Sequence, residues 1–170
     1  ISGQGTIGLE LLADLPDMDE VYLPIGGGGL AAGVAIAIKS KKPNVKIIGI
    51  ESKAFPAMKE SLTKRHLTPI KSGYTIADGI SVKAPGKLTF DIAAKYIDDI
   101  HLVDDSSIVK TMFLLMERAK LVVEPAGAAS LAYLLSNGHG RKGDRTVSIL
   151  TGGNVDMYLL GQIVAKGLMQ

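Results

Sequence analysis

Residues 20–50 read EVYLPI, GGGG, LAAGVAIAIKS, KKPN and VKIIGI in succession, and this stretch constrains the fold more than any other. Glu20 to Ile25 is a short apolar run rich in β-formers, and Gly26 to Gly29 follow it without a gap. Leu30 to Ser40 is rich in alanine and isoleucine and free of breakers apart from Gly33, so it reads as a buried helix. Lys39, Lys41 and Lys42 suit its C-terminal end, and Pro43 with Asn44 stops it. Val45 to Ile50 reads as a second buried strand. Strand, glycine turn, helix and strand make one βαβ unit, for which parallel strands and a right-handed crossover are expected.

The remainder repeats the pattern less cleanly. Ala54 to Lys64 and Lys87 to Tyr96 read as helices, and Asp99 to Val103 as a strand. Asp104 to Lys120 reads as one long amphipathic helix capped by Asp104 or Asp105. Pro125 suits the first turn of an alanine-rich helix over Ala126 to Leu135. Thr146 to Thr151 reads as a further strand, and Val155 to Lys166 as a closing helix. Thr68 to Gly86, with three glycines and two prolines, reads as an irregular loop. The expected class is α/β: a mainly parallel open sheet with helices on both faces.

Composition narrows the function. A chain of 170 residues, 46% hydrophobic, is long enough for one domain with a real core. The net charge is only +2 and the basic residues are scattered, which argues against nucleic acid as a partner. No cysteine is present, so disulfides, thiolate metal sites and cysteine nucleophiles are excluded. No apolar run approaches the ~20 residues of a membrane span, and no signal-like segment opens the chain. A cytoplasmic location and no membrane partner are the expectation. Ile1 is expected to lie inside a longer protein.

Four consecutive glycines between a strand and a helix suit an anion cradle. The backbone there can take positive φ and come close to a ligand. The helix beginning near Leu30 adds unpaired N–H groups and the positive end of its dipole. A phosphate at this turn is held mainly by main-chain donors. No Gly-Lys-Ser/Thr follows, which argues against nucleoside triphosphate chemistry. A dinucleotide reading remains open: Gly26, Gly28 and Ala31 satisfy G-x-G-x-x-A, and Glu51 ends the next strand where a ribose-binding acid belongs. That reading makes the chain part of a nicotinamide-dependent dehydrogenase. A second glycine turn, TGGNVD at Thr151 to Asp156, follows the strand that starts at Thr146. If the two strands are parallel neighbours, both turns face one ligand.

SGQGTIGLE at Ser2 to Glu10, PIGGGGL at Pro24 to Leu30, TIADG at Thr75 to Gly79, VVEPAGA at Val122 to Ala128 and LTGGNVD at Leu150 to Asp156 together resemble the fold-type-II pyridoxal-phosphate enzymes. Within them the resemblance is to threonine dehydratases (threonine ammonia-lyases), with serine racemases and serine dehydratases as near relatives. It covers essentially the whole chain. The resemblance implies the large catalytic domain of such an enzyme, with residues 1–170 as its C-terminal part. It implies pyridoxal 5'-phosphate as cofactor and a small hydroxy amino acid as substrate. The reaction implied is deamination of threonine or serine to 2-oxobutanoate or pyruvate and ammonia. A serine racemase is the alternative, and a non-catalytic regulatory fragment is a further one. A homo-oligomer is also implied.

Carried over position by position, Gly26, Gly27, Gly28, Gly29 and Leu30 correspond to the phosphate-binding turn. Thr151 corresponds to the hydroxyl beside the ring nitrogen. Gly79 corresponds to a backbone contact at the cofactor edge, and Glu124 to a carboxyl near the ring and its hydroxyl. From sequence alone, Glu124 equally suits a carboxylate at the start of the Pro125 helix. The family's cofactor-bearing lysine has no counterpart among these residues, so it is expected upstream, in an N-terminal half of the same enzyme. Lys39, Lys41, Lys42, Lys53 and Lys64 read as solvated helix ends and loops. Serine racemases hold a metal on an acid aligning with Glu51, a nearby carbonyl and a second acid. Here those last positions are Phe55 and Ala57, which leaves Glu51, with Asp19, as the candidate for a cation. Lys120 and Asn154 align with nucleotide-contacting positions, although an ion pair with Glu117 suits Lys120 as well. His66, His101 and His139 are given no catalytic role.

Overall fold

A computed structural model describes residues 1–71, 73–138 and 143–167. Four parallel strands form one sheet in the order β3-β2-β1-β4. They are β1 (Glu20–Pro24), β2 (Lys46–Ser52), β3 (Asp99–Val103) and β4 (Thr146–Ser148). The helices are α1 (Gly5–Asp14), α2 (Gly29–Lys39), α3 (Ala57–Lys64), α4 (Lys87–Tyr96), α5 (Asp105–Leu114), α6 (Pro125–Asn137) and α7 (Met157–Gly167). Among the described residues, no helix is long and apolar enough to cross a membrane.

Strand periodicity divides the interior into two cores, because successive side chains leave opposite faces. Val21, Leu23 and Ile47 pack with Val34, Ile38, Met58 and Ala93, on the side of α1 to α4. Tyr22, Ile48 and Ile50 pack with Ile108, Met112, Ala128 and Ala132, on the side of α5 and α6. Both faces of the sheet are therefore covered, which explains why β1 is buried at all five positions. Even Glu20 is buried, with the Tyr22 hydroxyl 3.3 Å and the Lys46 ammonium 3.6 Å from its carboxylate. Leu23 is fully enclosed, and truncating such a side chain to alanine costs ~2–5 kcal/mol.

Three expected elements come out differently. The helix expected from Ala54 begins only at Ala57, because Pro56 stands at its N-cap and 53–56 form a turn. The helix expected over Asp104 to Lys120 is regular only to Leu114. It then widens into a π-type turn over Leu115–Ala119 and ends at Lys120, whose φ is 61°. Asp104 is its cap, accepting from the Ser107 N–H at 2.9 Å. The strand expected over Thr146 to Thr151 pairs only through Ser148, with one more bond from the Ile149 N–H to the Tyr22 carbonyl. Beyond that point the backbone leaves the sheet edge and turns onto the start of α6, where the Glu124 N–H donates to the Gly152 carbonyl at 3.1 Å.

Candidate active site

The parallel pairing of β1 with β4 brings the two glycine turns to the same sheet edge, beyond the C-terminal ends of both strands. Between them lies a cavity of about 250 Å³. Gly26 to Gly29, Leu30, Gly79, Glu124 and Thr151 all line it, so the structure brings together every candidate cofactor residue read from the sequence. Pro24, Ile80 and Ala126 complete the wall.

The turn is held open by backbone conformation. Gly28 sits at φ 89°, the left-handed region, immediately before α2. Among the described residues no group accepts from the N–H of Gly27, Gly28, Gly29 or Leu30. These donors lie at the positive end of an eleven-residue helix. A Cβ on Gly27 or Gly29 would meet nothing within 4 Å, so the cavity side of the turn is bare main chain. No lysine or arginine lines the cavity. The donor set suits a phosphate held by amides, with room beside it for a small ring.

The opposite wall is set by α6 and the turn after β4. A Cβ on Gly152, whose φ is 62°, would collide with the Glu124 carboxyl, so that carboxyl lies directly over this glycine. Burial pushes the Glu124 carboxyl upward from the usual carboxylate range, and the negative charge of Asp78 adds to the push. Glu124 therefore keeps its proton to higher pH than an ordinary carboxyl. Gly79 lines the cavity, but its N–H is taken by the Asp78 carboxylate at 2.8 Å. The turn that carries it is tethered at Thr75 and Ile76. The Thr75 hydroxyl and the Ile76 N–H donate to the two oxygens of Asp105 at 2.6 and 3.0 Å.

Glu51 has a different occupation from either role expected of it. Its carboxylate accepts from the Met58 and Lys59 N–H groups at 2.8 and 2.9 Å, which ties β2 to the start of α3. Only 1% of the residue is exposed, and burial pushes its pKa up to about 7. It does not line the glycine cavity, which removes the ribose-binding reading. Asp19 stands at the other end of the sheet, where it accepts from the Arg145 N–H, so it cannot share a cation with Glu51. Among the described residues, no three metal-ligating side chains come together.

Of the lysines expected at solvated ends, Lys53 pairs with Asp104 and Lys64 with Glu60 at the surface, whereas Lys39 pairs with Asp98 with only 12% of its side chain exposed. Lys120 donates to the Glu117 carbonyl rather than pairing with its carboxylate, which holds Arg118. Asn154 is exposed. His66 is exposed beside the Lys64 carbonyl, and His101 stacks on Tyr133 away from the cavity. His139 lies outside the described residues. Sequence reasoning missed Thr89 and Gly127. The Thr89 hydroxyl donates to the Gly27 carbonyl at 2.6 Å across 62 residues of chain, for which no local signal exists. Gly127, inside the VVEPAGA motif, could have been found by asking why a helix start carries a glycine.

The family described as "Pyridoxal-phosphate dependent enzyme" matches residues 1–152. The L-threonine ammonia-lyase of Thermotoga maritima is 44% identical over 170 residues, covering 100% of this chain and 42% of the relative. The catabolic L-threonine dehydratase TdcB of Escherichia coli K12 is 45% identical over 165 residues, covering 96% of this chain and 50% of the relative. The chain thus spans about half the length of the curated relatives it matches. The structure of maize serine racemase superposes with a TM-score of 0.87 and 37% identity, covering 98% of this chain and 52% of that one.

Proposed function

The chain belongs to the pyridoxal-phosphate dependent enzyme family, and from that premise we propose that the protein containing it deaminates L-threonine, and L-serine, to a 2-oxo acid and ammonia. The observation that carries this reading is the single cavity lined by unpaired amides of the Gly26–Gly29 turn, the Glu124 carboxyl and Thr151.

Bound pyridoxal phosphate supplies an electron sink for the pair left when a substrate α-proton is removed. The N–H groups of Gly27, Gly28, Gly29 and Leu30 would hold the phosphate, helped by the dipole of α2. The Thr151 hydroxyl would offer a hydrogen bond to the ring nitrogen. A hydroxyl offers a hydrogen bond but no counter-charge, so the nitrogen would stay largely uncharged. A site of that kind would suit prompt loss of the β-hydroxyl better than transamination. The Glu124 carboxyl would lie beside the ring and its hydroxyl. Ile80 and Ala126 keep water from the ring.

The likeness to maize serine racemase favours a second reading, in which the α-proton is returned to the opposite face and no ammonia is released. We assign a small hydroxy amino acid as substrate in both readings, and a homo-oligomer as the working form. The full-length protein, loaded with pyridoxal phosphate and given L-threonine or L-serine, separates the two. Deamination yields 2-oxobutanoate or pyruvate with equal ammonia. Loss of optical purity without ammonia establishes the racemase instead.

A further inference from the structure

Behind the glycine turn, on the side away from the cavity, α4 packs against α2. A Cβ on Gly28 would point at Met58 of α3 and at Thr89 of α4, at 2.7 and 2.9 Å, and neither residue lines the cavity. Thr89 places its hydroxyl 2.6 Å from the Gly27 carbonyl and 2.9 Å from the Gly86 carbonyl. The Gly86 N–H also points at the Gly27 oxygen, at a weaker 3.5 Å. The Gly27 carbonyl is thus drawn to the α4 side.

A trans peptide directs its C=O and N–H in opposite directions. Holding the Gly27 oxygen against Thr89 therefore turns the Gly28 N–H away from α4 and toward the cavity. Glycine on both sides of this peptide leaves it free to flip, since no Cβ restricts either flanking residue. A flipped peptide would present a carbonyl oxygen, and hence negative charge, to the anion. The hydroxyl that prevents this flip sits on a helix that contributes nothing to the cavity wall.

We propose that Thr89 is a positioning residue that sets the polarity of the anion cradle by anchoring the Gly27–Gly28 peptide. This rests on the reading of residues 26–30 as the phosphate site. It assigns phosphate selectivity to a residue that touches neither phosphate nor ring.

The test compares binding of pyridoxal phosphate with binding of phosphate-free pyridoxal to the full-length protein stripped of cofactor, followed by absorbance. Thr89→Val keeps the shape and removes the hydroxyl. It is expected to weaken pyridoxal phosphate about tenfold while leaving pyridoxal within twofold. Thr89→Ser restores the hydroxyl and is expected to restore the preference. Should Thr89→Val fail to fold, Thr89→Ala is read by the same ratio. Equal losses for both ligands, or no rescue by serine, would show a merely structural role and overturn the proposal. Wild-type protein that binds pyridoxal as tightly as pyridoxal phosphate would overturn the phosphate cradle itself, and this proposal with it.

Discussion

Gly127 lies so close to the backbone of Thr151 that a single β-carbon on it would overlap the Thr151 carbonyl. This contact lets the turn after β4 drop onto the first turn of α6, and it places the Thr151 side chain on the cavity wall. Because the obstacle is backbone, no side-chain rotation can relieve an added methyl. Gly127→Ala is expected to push residues 150–153 away from α6. The expected cost is ~1–3 kcal/mol in thermal or urea unfolding, together with loss of cofactor affinity in a titration. Unchanged affinity would mean that the turn re-forms elsewhere and that the contact does not position Thr151.

Asp105 holds the segment that leads to Gly79. Asp105→Ala removes the acceptor for both the Thr75 hydroxyl and the Ile76 N–H. Bonds to a charged acceptor contribute ~1.5–3 kcal/mol each, so a loss of about 3 kcal/mol is expected. Chymotrypsin cleavage at the exposed Tyr74 should accelerate in parallel, while Asp105→Asn should be intermediate by both measures.

Glu51 makes stability depend on pH in a direction opposite to that of most carboxylates. Its folded-state pKa, about 7, lies above the ordinary 4.5, so folding takes up a proton between those values. Stability is therefore fullest below pH 4.5 for this group and falls as pH rises to 7, by about 3 kcal/mol. Glu51→Gln removes the titration. The difference between wild-type and variant unfolding free energies, measured from pH 4.5 to 8, should shift across that window and level off above pH 7. A constant difference would show that Glu51 stays ionised beneath α3.

Much of this architecture was legible because it is local. α4 and β3 occupy the residues read for them, since Gly86 marks where α4 starts and Ile100, Leu102 and Val103 suit a strand of the sheet. Eight of the eleven residues that line the cavity were legible too, as glycine turns and motif resemblance. What escaped was set by partners distant in sequence. β4 stops at Ser148 because α6 draws the following turn off the sheet, and TVSILT carries no sign of that. Glu51 read as a ligand acid because its spacing suits one. Only the fold shows the start of α3 covering it. Thr89 looked like an ordinary helix residue until Gly27 came against it.

Thr151 offers an electronic test of its assigned role. Thr151→Asp would put a carboxylate beside the ring nitrogen and favour its protonated form, since an adjacent opposite charge raises basicity. The expected result is slower deamination and relatively faster exchange of the substrate α-proton with solvent, followed by deuterium incorporation. Thr151→Ser keeps the hydroxyl and should leave the ratio unchanged. If Thr151 only shapes the turn, aspartate serves equally well and the ratio stays at the wild-type value with cofactor fully bound.

The central claim is that the Gly26–Gly29 turn holds the cofactor phosphate, and Gly29→Asp tests it most directly. The substitution brings negative charge to the bare, open side of the turn, where a Cβ meets nothing within 4 Å, at a residue that lines the cavity. The measurement is cofactor content of the full-length variant after dialysis, by visible absorbance, with circular dichroism confirming that it is folded. A folded protein that has lost its cofactor is the predicted result. A folded Gly29→Asp variant that retains wild-type cofactor content would contradict the assignment of the phosphate to this turn.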